Sequence, residues 1–502
     1  MTGDVRLAQI GGTATLGLIG SVIGGYAGVG IGLALGVLLL VVPLRRLTPW
    51  SWAQLWLGRN RPLSRVRPVT VINDRSAGGV RYQDGVVAAV VQVLGKAHRP
   101  TLLDGPGAVS TDNVLVLDEL LPLMHQSLGL RVESLSVVCA GSRHNVGGDY
   151  PRVYDTLVGT PHYAGQRETW LIVRINCLDN GAALEPRMTA GTAALATAQR
   201  IAASLRCNGL RARVATVTDI VDLEGRLGIS GLEPGSRGWH SVRTVSGFLT
   251  TYALRTGDIS TETLAAMWSL RGEAVTENVT LLADGRAYAT ISVQTARPPA
   301  AVPSVLLRSL PGQQIRALSG TFCGPRPPLR GVDMSRLPSR VALAVGSSGV
   351  LIGRVPGGSR LALPLVDPAG NSHVYIDADD AIVKRIIVRA AGAGERVTVH
   401  SSDLERWSSV RMPNVAVVDR PRPDPGSTIS VVDGTITPTP RPHTVITVAS
   451  PADHPPDAAD VVIAQSDDSA LRIYADGSVY DVDVEFFRAE NRYASGSLLT
   501  HR

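Results

Sequence analysis

Lysine is almost absent: only Lys96 and Lys384 occur among 502 residues. A phosphate-cradling Gly-x-x-x-x-Gly-Lys-[Ser/Thr] loop therefore has no candidate position. Where such a loop would sit, between a strand at 373–376 and a helix at 381–391, the chain reads Asp377-Ala378-Asp379-Asp380, with Lys384 one turn into the helix. Three carboxylates at a helix N-terminus suit its dipole but repel phosphate. Cysteine is scarce as well. The four residues at 139, 177, 207 and 323 form no Cys-x-x-Cys pair, which excludes a zinc ribbon or a disulfide framework and fits free thiols in a reducing compartment. The ten histidines show no metal-ligand spacing, and no Gly-x-Ser-x-Gly elbow occurs. No catalytic residue, cofactor-binding residue or metal ligand is assigned, and the chain is read as a non-enzyme without a cofactor.

Charge is missing altogether from Leu7 to Leu44, a stretch opened by Arg6 and closed by Arg45 and Arg46. As one straight helix it would be about 57 Å long, nearly twice a bilayer core of ~30 Å. The expected solution is a two-helix transmembrane hairpin over residues 1–46, turning near Gly24-Gly25, where glycine relieves the backbone. A cleaved signal peptide fits poorly, because the run far exceeds a signal core of roughly 7–15 residues and ends in an Arg-Arg stop. Gly20, Gly24, Gly28, Gly32 and Gly36 recur every fourth residue and make a smooth ridge for close helix packing. The ridge suits packing within the hairpin and packing on a partner helix equally.

The net charge of +6 is local. Residues 1–67 hold seven arginines and one aspartate, whereas the remainder carries equal numbers of basic and acidic groups. The basicity belongs to a membrane face and argues against nucleic acid as a partner. Arg45, Arg46, Arg59, Arg61, Arg65 and Arg67 lie in a segment with no acid, and positive flanks stay on the cytoplasmic side. The chain is therefore expected to cross the inner (plasma) membrane twice and to leave its soluble domains in the cytosol. Trp50, Trp52 and Trp56, with Arg45, Arg46, Arg59 and Arg61, mark residues 47–68 as a juxtamembrane segment, with 47–58 lying on the inner leaflet of the lipid bilayer.

The rest reads as α/β (α+β) soluble domains with mixed sheets. Residues 69–296 form a first domain. Asp84-Gly85 signals a type I′ hairpin there. A helix is expected over Leu115–Leu128, and the strand Trp170–Cys177 is followed by an alanine-rich helix, Thr189–Arg206. Residues 297–340 read as a connector, with eight prolines between Pro298 and Pro338. Residues 341–502 form a second domain resembling a degenerate nucleotide-binding fold, with a helix at Ala381–Ala391 and another from Ser402 to about Ser408. Two Asp-x-Asp pairs, Asp377/Asp379 and Asp481/Asp483, have the form used for metal-bound nucleotide sugars, so the alternative function is a membrane-tethered transferase. Helix capping by the first pair and a solvent-facing strand edge for the second explain both more simply.

Several stretches together resemble the EccE component of the type VII (ESX) secretion membrane complex of mycobacteria and other actinobacteria. They are Pro43-Leu44-Arg45-Arg46 at the end of the hairpin, Gly79-Val80-Arg81-Tyr82 with Asp84-Gly85, and Trp170-Leu171-Ile172-Val173-Arg174. The helix 189–206, the segment Arg211–Thr216 and Gly349-Val350-Leu351-Ile352-Gly353 complete the set. The resemblance implies a non-catalytic structural subunit that docks on the EccB, EccC and EccD subunits, EccC being the ATPase, and supports export of substrate proteins.

Overall fold

The structure, a computed structural model, describes residues 3–44, 46–58, 66–71, 77–105, 108–233, 235–236, 238–338, 340–449 and 459–494. An apolar helical element, Gly3–Leu40, leads into a soluble body built on two large sheets. Its stretch Gln9–Leu40 is long and apolar enough to cross a membrane.

The first sheet runs in the order Thr70–Val71, Gly79–Gln83, Val86–Val93, Gln166–Asn176, Ser134–Ser142, Ala274–Leu282, Arg286–Thr295, Gly247–Leu254, Val242–Thr244. Every described pairing in it is antiparallel, so the mixed pattern expected from the sequence does not apply here. Asp84 and Gly85 both adopt positive φ (50° and 77°), the backbone of a type I′ turn. The helix Ala190–Cys207 begins at Thr189, whose hydroxyl and that of Thr192 bond each other's backbone N–H. Ala194, Ala198 and Ile201 bury its inner face on the strand Val86–Val93.

The second sheet is mixed. Val415–Val418, Val397–Ser401, Ile429–Asp433, Thr444–Val448, Ser372–Asp377 and Val461–Gln465 run parallel. From there Ala470–Ala475, Ser478–Val484, Val350–Arg354 and Arg360–Leu363 continue antiparallel. Thr101–Asp104 and Ala108–Ser110, early in the chain, complete that edge. In the same way Val114–Val116 pairs with Ala342–Ala344. The helix expected over Leu115–Leu128 is replaced by that short strand and three 3₁₀ turns. Pro122 deprives a helix interior of a donor, and Leu115 reaches the core from the strand, Leu117 from its end and Leu120 from the first turn. The helix expected from Ser402 is a run of turns ending in the 3₁₀ segment Ser408–Val410.

The proline-rich stretch 297–340 is packed rather than free. Leu307–Ser309 and Ser335–Arg336 join the first sheet, and Gln314–Ser319 is helical. Residues 320–324 lie against two buried arginines. Arg174 donates to the carbonyls of Gly324 (2.6 Å), Gly320 (2.8 Å) and Phe322 (3.1 Å) and to Ser136 Oγ (2.7 Å). No carboxylate pairs with it among the described residues, and burial pulls its pKa down to about 10. Arg81 is paired with Glu224 at 2.6 and 2.8 Å and also donates to the Cys323 carbonyl. Glu224 accepts in turn from Cys323 N. All four cysteines are free, and burial pushes the Cys139 and Cys323 thiols up to about 12.

The two halves are stitched by side chains. The helix Tyr150–Val158 packs on Asp380–Ala393, where a Cβ at Gly392 would come within 2.8 Å of Tyr150 and Tyr154. Arg389, 1% exposed, pairs with Glu490 at 2.7 Å, and Tyr150 Oη donates to the same carboxylate. Arg211 makes a bidentate bond to Asp367 at 2.8 Å.

Two stability predictions follow from these buried groups. Removing one partner of a buried ion pair strands the other charge, so Glu224→Ala should destabilise the body by about 3–5 kcal/mol, read as a lowered denaturant midpoint. Glu277 is 1% exposed and burial raises its pKa to about 8, against opposing contributions from Arg167 and Trp268. An acid raised in the folded state binds a proton that the unfolded chain has released. Stability should therefore fall between about pH 5 and pH 8. Glu277→Gln should flatten that slope and raise the melting temperature at pH 8 by a few degrees in thermal unfolding of the detergent-solubilised protein.

Candidate membrane anchor and its docking face

The helical element Gly3–Leu40 is interrupted where glycine is doubled. Gly24 (φ −141°, ψ 23°) and Gly25 (φ 55°, ψ −140°) leave the helical region. Gln9 Nε2 donates to the Leu40 carbonyl at 2.8 Å, joining residues 31 apart. Gly20 and Gly28 meet backbone to backbone: a Cβ at Gly20 would fall 2.1 Å from the Gly28 oxygen, and one at Gly28 1.9 Å from the Gly20 oxygen. Gly32 approaches the Leu16 carbonyl and Gly36 approaches Thr13 in the same way. Gly24 meets nothing within 4 Å. Of the five ridge glycines, four are therefore contact positions and one serves the break. Gly12, in register with the repeat but cut off from it by Leu16, and Gly17, off the register, also face the other half, at Leu40 and Leu33. Outward positions are apolar, with Val22, Ile23 and Tyr26 more than four-fifths exposed.

Beyond the apolar element, Pro49–Leu57 forms a short helix. Thr48 caps it by accepting from Ser51 N, and Pro49 opens it, where a missing N–H costs nothing. The helix does not lie wholly outward. Leu47 and Leu55 are buried, and Trp52 packs on Trp239 with ring centroids 6.3 Å apart while its Nε1 donates to the Leu44 carbonyl. Leu47 rests against Gly331, Gln54 accepts from Arg330, and Arg46 pairs with Asp333. Trp50, Trp56 and Leu57 remain about half exposed on the other side. The sequence placed all three tryptophans on the leaflet, whereas Trp52 turns toward the body because Trp239 offers it an aromatic face. Arg45, Arg59 and Arg61 lie outside the described residues.

One aspartate of each Asp-x-Asp pair is met by a protein group. Asp379 stands at the start of the helix Asp380–Ala393 without capping it through its side chain, and accepts from Gln465 Nε2 at 3.0 Å instead. Asp380 holds Lys384 at 2.6 Å and Arg406 at 2.8 Å. Lys384 is 1% exposed and lies over Trp407. Asp481 pairs with Arg472 at 2.9 Å on an exposed strand face that Asp483 shares. Among the described residues no three His, Cys, Asp or Glu side chains gather as a metal site would require.

Similarity to known proteins now bears on this arrangement. A family model described as "type VII ESX secretion system translocon, EccE" matches residues 163–254. That interval contains the Trp170–Arg174 strand and the capped helix Ala190–Cys207. The ESX-2 secretion system protein EccE2 of Mycobacterium tuberculosis (strain CDC 1551 / Oshkosh) is 44% identical, over 98% of this chain and 96% of its own length.

The chain belongs to the EccE family.

Two further EccE relatives match a shorter region. The ESX-5 protein EccE5 of Mycobacterium marinum is 28% identical over 22% of this chain and 28% of its own. EccE5 of M. tuberculosis H37Rv is 28% identical over 20% and 25%.

The glycine contacts make a prediction that distinguishes their positions. Gly20→Leu or Gly28→Leu forces side-chain atoms onto a carbonyl and should cost about 1–3 kcal/mol. Gly24→Leu enters open space and should change little. Thermal unfolding of the full chain in mild detergent checks this, with the melting temperature lowered for the first two variants and unchanged for the third.

Proposed function

We propose that this chain is a structural, non-catalytic subunit of a type VII secretion complex, inserted in the inner membrane by two antiparallel spans. The full-length relationship to EccE2 carries the reading, and it favours a system of the ESX-2 type. Close glycine contacts between the halves of Gly3–Leu40, with a break at Gly24-Gly25, support a pair of spans of about 18 residues each, near the length a bilayer requires. A two-span anchor returns the chain to its starting side. The arginines that follow put that side in the cytosol, together with the whole body from residue 47 onward. The soluble part is read as two units near 69–296 and 341–502. Segment 101–110 and helix 150–158 are lent to the second, and the stretch between the units is laid on the first. In this role the body is a docking surface for EccB, EccC and EccD, and the energy for export comes from a partner.

The test is affinity purification of the full chain from host membranes in mild detergent, with the bound chains identified by mass spectrometry. EccB, EccC and EccD are expected; recovery of the chain alone would refute the assignment. In intact spheroplasts the body should resist added protease, and its digestion there would reverse the orientation.

A further inference from the structure

A cluster of arginines on the soluble body surrounds the point where the apolar element ends. Arg46 lies two residues beyond the last apolar residue of that run, and Asp333 holds it. Asp333 is fixed by its own backbone, whose carbonyl accepts from Thr256 Oγ1 beside Arg255. Arg308 follows the exposed Val305 on a strand paired with Leu254, and feels both Arg46 and Arg255 as like charges. Arg330 reaches Gln54 of the juxtamembrane helix, and its like-charged neighbour is Arg316. Burial and these like charges together hold the pKa values of Arg308 and Arg330 below the ordinary arginine range. Among the described residues, Asp333 is the only carboxylate within ion-pair distance of any of the five. In a body whose charges balance as a whole, a group of five guanidiniums with one acid is a local excess that folding has not neutralised.

What lies beside this excess indicates its counterpart. Trp50, Trp56 and Leu57 are exposed on the helix that Arg330 holds, and Val305 is 83% exposed next to Arg308. Aromatic and aliphatic side chains interleaved with arginines suit the headgroup level of a bilayer, where guanidinium meets phosphate and the rings sit at the acyl boundary. An acidic protein partner would need no such apolar fringe continuous with a membrane anchor.

We propose that Arg46, Arg255, Arg308, Arg316 and Arg330 form a phosphate-binding face that seats the soluble body on anionic phospholipid. This rests on the membrane-anchor reading above and adds a lipid preference to it. The face works by geometry. The juxtamembrane helix is clamped to residues 312–333, so that surface is carried to the leaflet wherever the anchor is inserted. Each arginine near an anionic surface contributes roughly a five-fold gain in association, screened by salt.

The experiment compares hydrogen–deuterium exchange of the full chain in nanodiscs of phosphatidylcholine alone and of phosphatidylcholine with phosphatidylglycerol. Segments 302–318 and 328–334 should exchange about five-fold more slowly in the anionic discs at low salt. The difference should vanish at high salt and in the double variant Arg308→Gln/Arg316→Gln. Unchanged exchange of the core strand 166–176 will show that this variant is folded. Equal exchange in the two lipids would overturn the proposal, as would a lipid-dependent difference that persists in the variant. Failure of the chain to enter either disc would overturn the anchor reading and this proposal with it.

Discussion

Two guanidinium groups inside the first sheet dictate much of what surrounds them. Arginine does not lose its proton in a protein, so Arg81 and Arg174, once buried, need acceptors at close range. Glu224 answers Arg81, and the carbonyls of residues 320–324 answer both. A proline-rich stretch that could have been a tether is thereby laid under the sheet. With 320–324 fixed, the neighbouring residues 312–333 have a defined place. Gly312 N then bonds the Trp239 carbonyl, Trp239 receives Trp52, and Gly331 receives Leu47. The bearing of the apolar element on the body thus traces back to buried charges elsewhere in the chain.

Much of this architecture can be read from local sequence. The capped helix after Thr189, the Asp84-Gly85 turn, the apolar element with its glycine doublet and the parallel strands of the second half all follow from short-range chemistry. What escaped was non-local. Leu115, Leu117 and Leu120 have helical spacing, yet their burial is supplied by strand Ala342–Ala344 from far along the chain. The wholly antiparallel first sheet could not be inferred from alternating strands and helices, because the partners of its strands are distant. The prolines of 297–340 suggested a loop; the signal against it was an arginine in the middle of Trp-Leu-Ile-Val-Arg-Ile, a charge in an apolar strand that has to find acceptors.

The face around the anchor was legible in part. Spacing identified Gly20, Gly28, Gly32 and Gly36, but it could not exempt Gly24, whose role is to leave the helix, nor find Gly17, which falls off the repeat, and Leu16 separates Gly12 from the unbroken run. Three tryptophans in seven residues read as one membrane-facing set. Only the position of Trp239, more than 180 residues away, separates Trp52 from Trp50 and Trp56. The five arginines of the proposed phosphate-binding face come from 46, 255, 308, 316 and 330, and no window of sequence contains them together.

The placement of Thr101–Asp104 in the second sheet has a consequence for biogenesis. Its partner, Arg360–Leu363, is some 260 residues downstream, and at ribosomal speeds of about 5–20 residues per second it emerges roughly ten seconds to a minute later. Throughout that interval the early pair Thr101–Asp104 and Ala108–Ser110 carries an open strand edge that nothing yet synthesised covers.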